Sequence, residues 1–214
     1  MAAHPTSRFK SRAAGCIWAL LLIGSAAVAF GFTGLEQSEE PPQPPRRHSQ
    51  RTSAAAPAAH PLRASRPTRV QIPALRVDAP LTGLRLADDG RLDAPPKDDP
   101  KLAGWWSDGP SPGSRGTAII AGHVDLPSGR AVFYDLGTLR PGMHIDVPRQ
   151  DKVTARFTID AIDVYDAADY PDDKVYADTG RAELRLITCG GGYDHARGQY
   201  NGNVVISAHL TGSR

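Results

Sequence analysis

Asn203-Val204-Val205-Ile206-Ser207-Ala208-His209-Leu210 alternates with a period of two. In an extended chain Val204, Ile206, Ala208 and Leu210 share one face, and Val205, Ser207 and His209 share the other. Further short apolar runs precede it, at Arg69–Ile72, Leu81–Leu86, Thr117–Ala121, His144–Val147, Thr154–Tyr165 and Glu183–Thr188. Gly, Pro, Asp and Asn break the chain between them. No stretch shows a convincing amphipathic helix, and only short turns around Val132–Leu136 and Lys174–Tyr176 read as helical. With 21 Gly and 19 Pro in 214 residues, long helices cannot dominate. Short strands separated by turn signals predict an all-β domain over residues 67–214, a closed barrel or a sandwich. There is no internal repeat.

The chain before that domain reads differently. Arg8, Lys10 and Arg12 lie in a polar tail, residues 1–14. An uncharged apolar run then extends from Gly15 to Leu35, long enough to span a hydrocarbon core of about 30 Å. Glu36, Glu39 and Glu40 follow it. Positive charge before the run and negative charge after it predict a transmembrane helix over 15–35, the N-terminus in the cytoplasm and the remainder outside. The alternative is a cleaved signal peptide, since Ala27-Val28-Ala29 offers a small-x-small cleavage pattern. The apolar run continues past Ala29 through Phe30 and Phe32, which favours the anchor. Residues 36–66 carry six prolines, several Ala and Ser, and five arginines, with almost no large apolar side chains. Such a segment predicts an extended linker holding the domain off the membrane.

The net charge of +2 conceals a split. Residues 1–66 hold eight Lys/Arg against three Glu, and residues 67–214 hold 17 Lys/Arg against 20 Asp/Glu. The foldable part is mildly acidic, which argues against nucleic-acid binding. The two cysteines, Cys16 and Cys189, exclude a disulfide-stapled scaffold and a Cys-rich zinc site. The acidic residues Asp163, Asp166, Asp169, Asp172, Asp173 and Asp178 are unequally spaced and form no Asp-x-Asp-x-Asp-Gly loop, so a solvated loop is the expected reading and no metal site is assigned. No Gly-rich phosphate loop precedes a helix, and no His-Glu-x-x-His pattern occurs. No cofactor is expected.

Cys189 is the one cysteine of the exported region. It ends the apolar stretch Leu184-Arg185-Leu186-Ile187-Thr188 and is followed by Gly190, Gly191 and Gly192. A thiol at a strand end beside a glycine-rich loop has the partial exposure of a reactive cysteine, although free cysteines are more often small core residues. An exported protein rarely keeps an unpaired thiol without use. Its partner must be sought among His123, His144, His195 and His209. His123 follows Thr117-Ala118-Ile119-Ile120-Ala121-Gly122, again where an apolar strand gives way to a loop. Arg197, eight residues after Cys189, is a candidate to hydrogen-bond a developing oxyanion. Arg185 is read as a solvated charge.

Leu186-Ile187-Thr188-Cys189 resembles the signature strand of sortases, the cysteine transpeptidases of Gram-positive surfaces. Gly122-His123 resembles the family's upstream histidine context. The ordered set Gly104-Trp105-Trp106, Gly109-Pro110, Gly116 through Asp125, Phe133-Tyr134-Asp135-Leu136, Pro141-Gly142, Thr188-Cys189-Gly190-Gly191, Tyr193-Asp194 and Tyr200 with Asn203-Val204-Val205 is similar to class F sortases of actinobacteria. The resemblance covers almost all of residues 67–214.

It implies a closed eight-stranded β-barrel and a definite reaction. Cys189 would attack the Thr–Gly carbonyl of a Leu-Pro-x-Thr-Gly-like sorting signal, giving a thioacyl-enzyme. His123 would protonate the leaving amine and then serve as base for an amine acceptor, such as a cell-wall precursor, or for water. An arginine, here Arg197, would bind the oxyanion and substrate backbone, and Thr188 would contribute to the substrate pocket. Many sortases place that arginine about a dozen residues after the cysteine, where this chain has Asn201. The implied enzyme is a monomer at the plasma membrane with its catalytic domain outside. Two other readings are an L,D-transpeptidase of peptidoglycan, whose cysteine follows a Ser-His-Gly-like sequence, and an anchored adhesion domain with Cys189 buried.

Overall fold

Eight strands close into one barrel in the order β1-β2-β3-β4-β9-β10-β8-β7. They are β1 (Arg69–Ile72), β2 (Val77–Leu84), β3 (Ala103–Trp106), β4 (Gly116–Gly122), β7 (His144–Pro148), β8 (Thr154–Asp166), β9 (Ala182–Asp194) and β10 (Gln199–Ser213). Between β4 and β7 lies a small hairpin, β5 (Asp125–Leu126) with β6 (Gly129–Arg130). β1 closes the ring against β7 at Gln71 and Asp146. These elements belong to a computed structural model that describes residues 40–44, 57–88 and 90–214. The expected cytoplasmic tail, the transmembrane helix or signal peptide, and much of the expected linker lie outside the described residues. Among the described residues no helix is long and apolar enough to cross a membrane.

The alternation that announced β10 works as expected on its inner face. Val204, Ile206, Ala208 and Leu210 are all within 2% of complete burial, packed with Ile120, Leu184, Leu186 and Phe157. Its other face is less polar than the pattern implied, because Val205 and His209 are buried as well. His209 faces Asp160, 2.7 Å away. Among the described residues the helical content is small: one four-residue α-helix, Asp172–Val175, and 3-10 turns at Pro73–Leu75, Leu136–Thr138 and Ala167–Asp169.

Two features depart from expectation. β3 was not anticipated. It is four residues long and its glycine breaks any apolar alternation, so it is fixed by its neighbours, parallel to β2 and antiparallel to β4. A Cβ on Gly104 would fall 2.4 Å from Leu84, so only glycine admits that side chain. The folded unit also begins before Pro67. The Ala59 and Leu62 amides donate to the Leu210 and Gly113 carbonyls, each at 2.8 Å. The buried Arg149 guanidinium donates to the Arg63 carbonyl at 2.8 Å and to the Asp151 carboxylate. A proline-rich chain cannot build its own core, but its extended carbonyls can serve donors of a neighbouring barrel.

Candidate active site

β4 and β9 are parallel neighbours, in register from Gly116 with Ala182 to Ala121 with Ile187. Two positions further along each chain stand His123 and Cys189. Thus one sheet edge, built from residues 66 apart in sequence, brings an imidazole and a thiol to the same end of the barrel. The ends are tied together below them, where the buried Thr188 hydroxyl donates to the Gly122 carbonyl at 2.9 Å. A Cβ on Gly122 would lie 2.6 Å from Phe133, so the turn into His123 packs against that ring only with glycine there.

His123 Nε2 lies 2.7 Å from the Pro95 carbonyl. A carbonyl only accepts, so Nε2 carries the hydrogen and Nδ1 is the nitrogen that exchanges a proton. Cys189 is exposed as a residue. Packing around its sulfur still pushes the thiol above its ordinary value, and the Asp125 carboxylate adds to the shift. At neutral pH the sulfur therefore holds its proton. Asp125 also accepts a hydrogen bond from the Tyr200 hydroxyl. Burial raises that hydroxyl first, and Asp125 raises it further. If Asp125 acts on the thiol as this arrangement requires, Asp125→Asn lowers the midpoint of Cys189 alkylation against pH and speeds alkylation by iodoacetamide at neutral pH. A midpoint unchanged or moved upward contradicts it. Mass spectrometry of the peptide carrying Cys189 separates its label from that of Cys16.

His123, Thr188 and Cys189 line one groove of about 520 Å³. Its floor adds Ala121, Ile187 and Asn203, the last directly across the antiparallel ladder from Cys189. One wall is residues 90–95, which contribute Arg91, and the other is the β8–β9 connection, with Tyr170 and Tyr176. Among the described residues the buried Tyr170 hydroxyl has no hydrogen-bond partner.

The structure does not bring Arg197 to this groove. β9 continues past Cys189 to Asp194, and Arg197 sits in the turn that follows. Asp194 accepts from the Ala196 and Arg197 amides, and the Arg197 side chain, 72% exposed, lies 3.6 Å from the same carboxylate. Five residues of strand at about 3.3 Å each separate that turn from the thiol. Arg185 is also not the solvated charge expected. It is buried and paired with Glu183 at 2.8 Å. His195 is 79% exposed at the hairpin turn, and His144 is exposed at the start of β7. The sequence reading missed Tyr170, Arg91 and Asn203. Only Asn203 carried a signal, its place opposite Cys189 once the two last strands are paired.

An exposed thiol and an imidazole, each two residues past the last paired position of adjacent parallel strands, have the layout of a cysteine nucleophile with its acid–base partner. The family model of the sortase domain matches residues 70–211. The chain belongs to the sortase family, a family of cysteine transpeptidases. Sortase A from Corynebacterium diphtheriae is 19% identical, with a TM-score of 0.51 over 74% of this chain and 62% of that one. This chain thus spans less than two thirds of the Corynebacterium protein. Sortase A from Listeria monocytogenes is 15% identical, with a TM-score of 0.53 over 71% of this chain and 90% of that one. Sortase C-1 from Actinomyces oris is 19% identical, with a TM-score of 0.51 over 66% and 72%. At these identities the likeness is one of fold. No curated protein matches the chain. Family membership sets aside the L,D-transpeptidase reading, and the exposure of Cys189 opposes the adhesion domain with a buried cysteine.

Proposed function

We propose that the chain is a class F-like sortase that cleaves a Leu-Pro-x-Thr-Gly-like sorting signal between Thr and Gly and passes the acyl group to an amine or to water. The observation that carries this reading is the shared groove of Cys189 and His123. The Cys189 sulfur attacks the Thr carbonyl carbon while His123 Nδ1 takes the thiol proton. His123 then gives that proton to the Gly nitrogen as the amide bond breaks, leaving a thioester. An amine or water attacks the thioester, His123 accepts its proton, the carbon–sulfur bond breaks, and the sulfur is reprotonated. Charge on the carbonyl oxygen falls to donors that line the groove, the Arg91 guanidinium and the Asn203 amide.

An extended peptide also supplies what the groove lacks. A peptide carbonyl would satisfy the buried Tyr170 hydroxyl, which pays for its desolvation without a partner among the described residues. Tyr170→Phe is therefore expected to raise KM for the sorting peptide about three- to tenfold with little change in kcat, and to leave thermal stability equal or higher. An unchanged KM contradicts this role.

The same reading places 15–35 in the plasma membrane, residues 1–14 in the cytoplasm and a monomeric barrel outside, supported by the charge asymmetry about the apolar run. Incubating the protein with a panel of sorting-signal peptides, with and without an amine acceptor, tests the function. Cleavage between Thr and Gly, with the acyl part transferred when amine is present, is the expected result. No cleavage of any such peptide contradicts it.

A further inference from the structure

Glu40-Pro41-Pro42-Gln43-Pro44 lies in the stretch that composition marks as a linker, yet it is seated on the barrel beside Cys189. The Gly191 amide donates to Gln43 Oε1 at 2.9 Å. Gln43 Nε2 donates back to the Pro41 carbonyl at 3.1 Å, which fixes the side chain. Pro41 and Pro44 are buried. Glu40 reaches within 3.9 Å of His195 on the following turn.

Gly137 gives an independent sign of the same seat. Its φ is not positive, so its backbone does not require glycine. A Cβ there would fall 2.1 Å from the Pro42 carbonyl oxygen. The missing side chain makes room for this segment.

The amide that Gln43 holds belongs to an unusual turn. β9 and β10 pair at Gly190 with Gly202 and again at Tyr193 with Tyr200, so Gly191 and Gly192 together oppose Asn201 alone. Both glycines have positive φ, 78° and 88°. Such a bulge has high backbone freedom and begins two residues after the nucleophile. Cys189 stays exposed and its groove open with the segment in place, so the contact holds the loop without covering the thiol.

We propose that Gln43 is a positioning residue for the reaction. It clamps the Gly191–Gly192 bulge and so fixes the Cys189 sulfur relative to His123. The catalytic half of this proposal rests on the sortase reading above; the clamp does not.

The test uses the full chain with Gln43→Ala and, separately, Gly137→Ala, which evicts the segment without touching Gln43. Hydrogen exchange of the peptide spanning residues 189–194 reads the clamp. Faster exchange is expected in both variants, with the double variant no worse than either alone. Sorting-peptide kinetics read the positioning. A fall in kcat of about tenfold with KM changed less than about twofold is expected. Unchanged exchange overturns the clamp. Faster exchange with kcat unchanged or increased overturns the positioning role. If the unmodified chain cleaves no sorting peptide, the sortase reading and the catalytic half fail together, and exchange alone still decides the clamp.

Discussion

Cys189→Ala is expected to abolish peptide cleavage and to leave the barrel folded. The sulfur proposed as nucleophile has no substitute, because Cys16 lies in the N-terminal apolar run and no other cysteine exists. The fold survives because Cys189 faces outward at an exposed position and is absent from the packed interior. Cys189→Ser is expected to be nearly as inactive. A hydroxyl is far harder to deprotonate than a thiol, and a single imidazole held through Nε2 to a carbonyl gives it little help. The measurements are peptide cleavage by chromatography and thermal unfolding of each variant. Cleavage near the unsubstituted rate in either variant removes Cys189 from the nucleophile's role.

His123→Ala is expected to lower kcat by at least about 10²-fold, the range of a general acid–base group. KM should move far less, since the imidazole works on protons in transit rather than on the bound peptide. The thiol makes the dependence acute. Its proton is retained at neutral pH through the packing around the sulfur and through Asp125, so attack needs a group to accept that proton. His144→Ala, His195→Ala and Arg197→Ala serve as comparisons, each expected within about twofold of the unsubstituted rate, because all three side chains are exposed outside the groove. A loss from His195→Ala equal to that from His123→Ala would transfer the acid–base role to the hairpin turn.

How far the sequence could be read depended on whether local pattern or distant pairing set each feature. β10 was legible because its inner residues alternate, and β1 was legible to the residue. His123 was legible as the residue after a strand end, whereas Cys189 lies inside β9 and was marked only by the glycines after it; the two meet because β4 and β9 pair in register up to Ala121 and Ile187. Arg197 misled for a physical reason. The glycines after Cys189 read as a loop folding back, whereas β9 bulges at Gly191 and Gly192 and carries on to Asp194, taking Arg197 away from the groove. Tyr170 stands in an acidic connection with no periodicity, so nothing in its neighbours marks it as a groove wall. The seating of Gln43 was equally hidden. Prolines denote an extended chain and cannot show that it lies against a glycine almost a hundred residues away.

The most direct test of the whole account is to trap the covalent intermediate. The full chain is mixed with a Leu-Pro-x-Thr-Gly-like peptide in the absence of amine, quenched in acid at short times, and digested for mass spectrometry. The account predicts the peptide's acyl part, ending at Thr, attached as a thioester to the fragment carrying Cys189, discharged by added amine and missing from Cys189→Ala. Cleavage that proceeds with no such adduct, or with the adduct on another residue, would contradict it.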